Sequence, residues 1–182
     1  MLKKILIGVG ILVLIFALYV GYLAMFPASP KSNASISANG LDIKVTYSRP
    51  YKKGRLIFGE EKDKALQPYG KYWRLGANAA TEITFNKNVN FAGSPVNAGS
   101  YRMYTVPGAD AFEVYLNSEL GVTLSAAGEP NHSLDVLKVS VPVTTLPTET
   151  EQFTINFASD SVGVKMNFLW DKIQVAVPIS AQ

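Results

Sequence analysis

From Leu41 almost to the C-terminus, apolar and polar residues alternate in short runs, and this pattern limits the fold more than any other feature of the chain. Leu41, Ile43, Val45 and Tyr47 alternate with Asp42, Lys44 and Thr46. Tyr101, Met103 and Thr105 alternate with Arg102 and Tyr104, and Phe112, Val114 and Leu116 follow the turn residues Pro107 to Asp110. Leu137, Val139 and Val141 continue the pattern, then Phe153, Ile155 and Phe157, then Val162 to Trp170 at every second position, and last Ile173, Val175, Val177 and Ile179. A period of two places successive side chains on opposite faces of a strand. With turn residues roughly every 8–12 positions, it predicts an all-β domain, an antiparallel β-sandwich or jelly-roll. A hairpin turn is expected near Trp170-Asp171-Lys172. Pro142, Pro147 and Pro178 are expected at strand ends or edges, where a missing N–H does least harm.

The N-terminus is of another kind. Residues 1–4 (Met-Leu-Lys-Lys) form a short basic start. Ile5 through Phe26 then carries no charge, about 22 residues where about 20 suffice to cross a bilayer. Tyr19, Tyr22 and Phe26 gather at its far end, as in an interfacial aromatic belt. Lys3 and Lys4 are expected to stay cytoplasmic, so the segment reads as a single transmembrane signal anchor with the remainder exported to the periplasm or cell surface. The rival is a cleaved signal peptide, whose apolar region is shorter and ends in small residues. Residues 27–32 read as a linker and 33–182 as one β domain. With no cysteine in the chain, a lipoprotein anchor, disulfides, thiol nucleophiles and Cys–zinc sites are excluded.

Charge follows the same division. All 14 acidic residues lie beyond Asn39, and of the 17 Lys and Arg only Lys3, Lys4 and Lys31 precede it. The net charge of +3 thus belongs to the anchor and its flanks. The domain itself is formally neutral, and no nucleic-acid partner is expected.

The least generic stretch is Pro68 to Thr81, PYGKYWRLGANAAT. Pro68-Tyr69-Gly70 reads as a turn. Lys71 to Leu75 reads as a strand, Gly76-Ala77-Asn78 as a bent loop, and Thr81 to Phe85 as a further strand. Upstream lies SRPYKKGRLIFG, Ser48 to Gly59. Three of the four arginines (Arg49, Arg55, Arg74 and Arg102) fall between positions 49 and 74, among Tyr47, Tyr51, Tyr69, Tyr72 and Trp73. Two readings are open. In one, Arg49, Arg55, Arg74 and Asn78 line a polar pocket with Tyr72 or Trp73 as a stacking wall, suited to a carboxylate, a phosphate or a sugar. In the other, Trp73 is core, Asn78 bonds its own turn, and Arg74 lies over an aromatic face.

Other chemistry is sparse. The single histidine, His132, lies in a polar loop with nothing in sequence to fix a partner. Glu60, Glu61 and Asp63 fall in a charged surface loop, Gly59 to Gln67. No Walker, dinucleotide or EF-hand pattern occurs, and no metal or cofactor is expected.

A string of short motifs resembles a known family. Tyr47-Ser48-Arg49-Pro50, Gly54-Arg55, Ile57-Phe58-Gly59, Pro68-Tyr69-Gly70, Trp73-Arg74, Gly76-Ala77-Asn78 and Ala80-Thr81 come first. Ala98-Gly99-Ser100-Tyr101, Val106-Pro107-Gly108, Asp135-Val136-Leu137, Glu151-Gln152-Phe153 and Trp170-Asp171-Lys172 follow in order. Together they resemble the domain of unknown function 2911 family, small exported bacterial β proteins. The resemblance implies an exported domain and assigns no activity. One departure is Ala79, where that family commonly carries an acid after Gly-Ala-Asn; a role for that acid would be missing here.

Three functions follow as expectations. The first is a membrane-tethered extracytoplasmic domain binding a small polar or anionic ligand near Arg49, Arg55, Arg74 and Asn78. The second is an envelope hydrolase or isomerase with His132 or Glu82 as base. The third is a structural or assembly partner docking through a sheet edge or apolar patch.

Overall fold

The computed structural model describes residues 2–123 and 128–182, so Met1 of the basic start lies outside it. In chain order the elements are α1 (Leu2–Met25), β1 (Lys31–Ala38), β2 (Leu41–Ser48), β3 (Phe58–Gly59), β4 (Gln67–Pro68), β5 (Thr81–Phe85), β6 (Val89–Phe91), β7 (Ser94–Val96), β8 (Gly99–Val106), β9 (Ala111–Asn117), β10 (Asp135–Ser159) and β11 (Val164–Ala181). The fold is all-β behind one apolar helix. α1 has a mean hydropathy of 2.6 over Lys3–Tyr22 and is long and apolar enough to cross a membrane. At 1.5 Å per residue it spans roughly 36 Å against about 30 Å of hydrocarbon.

The strands lie in the order β1-β2-β5-β8-β9-β10-β11-β6-β7, each pair antiparallel. β10 belongs to two layers. Asp135 to Pro142 pairs with β9, and from Val143 onward the strand pairs with β11. Pro142 stands at the crossing, where its missing N–H breaks no ladder. The layers face one another across a single core. Tyr47 on β2 meets Phe153 on β10 edge-on at 5.6 Å, and its hydroxyl accepts from Ile155 N at 2.9 Å. Phe85 on β5 meets Phe91 on β6 at 6.2 Å. Just past β2, Phe153 N donates to Pro50 O and Lys52 N donates to Glu151 O, which draws that edge of the first layer onto the second.

Most of the alternation marks the faces. In β5, Thr81, Ile83 and Phe85 are buried while Glu82 and Thr84 lie outside, as the pattern predicts. Four expectations are corrected. The stretch from Lys71 to Leu75 forms only a bridge from Trp73 to Thr105, because Leu75 at φ 55° turns the chain out of extended geometry. The expected turn at Trp170 to Lys172 is a bulge inside the continuous β11, with Asp171 at φ 55°. Val162 stands outside the strand and is exposed. Lys31 and Ser32, read as the end of the linker, already belong to strand β1, which is closed onto β2 by an Asn39-Gly40 turn with both φ positive.

β8 breaks the alternation most informatively: Arg102, Met103, Tyr104 and Thr105 are all buried. One face of β8 looks into the core. The other is covered by Glu119, Gly128 and His132 of the connection after β9, so side chains that read as solvent-facing are buried.

Candidate functional site

The stretch that stood out in sequence is held by its own main chain. Trp73 N and O exchange hydrogen bonds with Thr105 at 2.8 and 2.9 Å. The Trp73 ring is buried, stacks on Trp170 at 5.6 Å and meets Phe153 at 5.0 Å. It is core, with no face left for a ligand. Its indole N–H donates to Gly76 O, and Thr81 Oγ1 donates to Leu75 O at 2.6 Å. These bonds fix a tight bend in which Leu75 and Asn78 take φ of 55° and 59°. A buried Leu in that region is strained by about 1–2 kcal/mol. Gly76 has no substitute, since a Cβ there would stand 2.8 Å from Ser48 O.

The named polar residues disperse. Arg74 donates to Asn78 O at 2.9 Å, and Asn78 Nδ2 donates to Ser29 O at 3.3 Å. Arg49, half-buried, donates to Phe153 O and Thr154 Oγ1. Arg55 is exposed, with Nε donating to Lys52 O and one terminal nitrogen to Tyr51 O. Tyr72 lies across the sheet, where its hydroxyl accepts from Arg102 at 2.8 Å. Each of these arginines is thus tethered to the fold, Arg74 through one bond and Arg49 and Arg55 through two each. Density of arginine in sequence could not reveal that.

Of the side chains named for the pocket, one, Arg55, lines a surface depression. Arg55, Tyr51, Gly76 and Ala77 line a depression of 310 Å³ with Lys53 and Gln67. Ala28 and Ser29, from the linker after α1, form part of its wall. Both charged residues lining it are cations. Lys53 is carried on a tight turn, with Lys53 and Gly54 at φ 50° and 68° and Arg55 N donating to Lys52 O. Neighbouring Lys52 is turned away, its ammonium clamped by Asp171 at 2.8 Å and Glu149 at 2.7 Å. Those carboxylates, Asp171 first, push its pKa above the ordinary lysine value. The indole N–H of Trp170, which also lines the depression, is a buried donor without an acceptor among the described residues. A larger cavity of 390 Å³ lies near Lys165 and Asp160, but these two charges face each other at 3.7 Å.

A second polar assembly escaped the sequence reading. Arg102 is 1% exposed and donates to Glu119 at 2.7 Å, to the Tyr72 hydroxyl and to Gly128 O. Beside it the Tyr104 hydroxyl donates to Asp135 at 2.8 Å. His132 Nδ1 lies 3.0 Å from Asp135 and 3.0 Å from the Tyr104 oxygen. Asn117 donates to Asp135 and to Asn131 O. Burial, and then Asp135, push the Tyr104 phenol well above its ordinary range. Asp135, with Glu129 second, raises His132 above its usual value. The bonds of Arg102 to Glu119 and Gly128, of His132 to Tyr104 and Asp135, and of Asn117 to Asn131 tie the covering connection to β8, β9 and the start of β10. Glu82, the other proposed base, accepts from Gly121 N at 2.7 Å on the same connection. Among the described residues no group of three or more His, Asp or Glu is placed to hold a metal ion.

No curated protein and no solved structure matches the chain. The sequence model of one family, described as protein of unknown function (DUF2911), matches residues 29–179, which takes in the whole β domain apart from its last residues. The chain belongs to that family.

Proposed function

We propose that this protein is a membrane-tethered extracytoplasmic binding module, anchored by α1, that takes a small anionic ligand in the depression bounded by Lys53, Arg55 and the Gly76–Ala77 bend. The observation that carries the reading is the lining. Its two charged side chains are both cationic, and the Arg55 guanidinium is oriented by two main-chain carbonyls. A fixed planar fork loses less freedom on binding than a free side chain, and it matches carboxylate or phosphate geometry. The strained bend beside it is held by buried hydrogen bonds, an arrangement found where a backbone must present a fixed surface.

The test is a melting-temperature screen of the full chain in detergent against phosphates, carboxylates and sugar acids. A ligand at a hundredfold over its Kd stabilises by about 2.7 kcal/mol, a shift of several degrees for a chain of this size. The shift is expected to vanish in Arg55→Gln and Lys53→Gln. A panel with no shift in the wild type rejects the reading.

A hydrolytic reading rests on one contact, Asp135 to His132 Nδ1, which would orient a general base. The other ring nitrogen, however, faces Glu129 at 3.5 Å, and Ser133 Oγ donates to Asn131. Loss of a discovered activity in His132→Gln, with unchanged melting, would favour it.

A further inference from the structure

The binding depression is built partly from the linker that leaves α1, and this fixes its height above the helix end. Phe26 N still donates to Tyr22 O, so the helical path runs to Phe26. Ala28 and Ser29 line the depression. Three residues of extended chain reach at most about 11 Å. The polar layer on each side of a bilayer is about 5–8 Å thick, and Tyr19, Tyr22 and Phe26 are the aromatic residues that settle at its inner boundary. The linker is also pinned to the domain. Ser29 O accepts from Asn78, and Pro30 O accepts from Arg49 N at 2.9 Å. The depression therefore cannot swing far from the membrane surface.

Resting on the binding function proposed above, we infer that the ligand is the phosphate of an anionic glycerophospholipid headgroup in the leaflet through which α1 emerges. Lys53 and Arg55 supply the charges. A lipid phosphate at this depth is held near the site at high effective concentration by the anchor itself, so a shallow open site suffices. A free phosphate ester would present the same chemistry without that advantage.

The experiment uses the full chain in nanodiscs of phosphatidylcholine alone or with one-third phosphatidylglycerol, and reads the melting temperature and the number of phosphatidylglycerol molecules retained in native mass spectrometry. The wild type is expected to melt several degrees higher with phosphatidylglycerol and to retain at least one such lipid. The double variant Lys53→Gln/Arg55→Gln is expected to lose both effects, while Lys165→Gln, at the distant cavity, keeps them. Equal phosphatidylglycerol effects in wild type and double variant overturn the inference in favour of unspecific surface charge. Glycerol phosphate added to neutral nanodiscs separates the sources. A shift with the soluble ester but none with the lipid overturns the lipid assignment and leaves the binding module standing. No shift with either overturns both.

Discussion

The side-chain amide of Asn78 donates to the main-chain carbonyl of Ser29, 3.3 Å away. This bond joins the bend after Trp73 to the segment that leaves the apolar helix. It makes the position of the candidate pocket a consequence of the bend, and the two should fail together.

Asn78 sits at φ 59°, a region that Asn tolerates better than most residues. Asn78→Ala removes the bond and strains the backbone, so a loss of about 1–2 kcal/mol is expected. Asn78→Gly removes the same bond while relieving the strain, and should cost less than the alanine change. Urea denaturation of the two variants checks the order. A greater loss with glycine would contradict the account of the bend.

Gly76→Ala places a methyl 2.8 Å from Ser48 O at φ 146°. Something must shift, and the atom in the way is backbone, so a loss of about 2–4 kcal/mol is expected. Circular dichroism melting against wild type measures it. Neutral behaviour would show that the bend can open.

Arg102 is the chain's most thoroughly buried charge, with three acceptors on separate segments. Arg102→Ala leaves Glu119 and Gly128 O unpaired, and a loss of about 2–4 kcal/mol is expected, below the largest values because Glu119 is partly exposed. Arg102→Lys recovers little, since an ammonium on a shorter reach cannot serve all three. Limited proteolysis should cut the Ser118–Leu134 connection in both variants first.

The pH dependence of that connection follows from His132. Asp135 and Glu129 raise its pKa in the folded protein above the unfolded value near 6.5. The folded state thus binds the proton more tightly, and the stabilisation is complete below about pH 6.5 and lost as pH rises through the folded pKa. The ring is half-exposed, so solvent screening keeps the effect small. A histidine NMR titration should show an elevated pKa that falls in Asp135→Asn. An unshifted wild-type value would contradict the geometry.

Sequence made the fold legible wherever strand faces differ in environment. Ile83 and Phe85 against Glu82 and Thr84 needed no structure. It failed where tertiary cover removed the difference. Arg102 and Tyr104 read as outward-facing because their alternation is correct, and Tyr72, Tyr115 and the connection after β9 bury them. The unusual length of that connection is the signal that could have warned of it. Trp73 shows the converse: an aromatic beside arginines is core because Trp170, far off in sequence, stacks on it. For the site, Arg55 and the Gly76 bend were visible, while Lys53 was passed over because only the positive-φ turn after Lys52 separates it from its neighbour. Arg49 and Arg74 mislead because bonds that no sequence pattern marks, to Phe153 O and Thr154 and to Asn78 O, hold them to separate parts of the fold.

The chain has only four arginines, which makes the most direct measurement tractable. Guanidinium ¹⁵N–¹H correlation spectra of the full chain in micelles should resolve Arg49, Arg55, Arg74 and Arg102, each assigned by substitution to Gln. On titration with glycerol phosphate, saturable movement of the Arg55 signal is predicted, with Arg49 and Arg102 stationary. An Arg55 signal that stays still, or moves only in proportion to ionic strength, would contradict a binding site between Lys53, Arg55 and the Gly76–Ala77 bend.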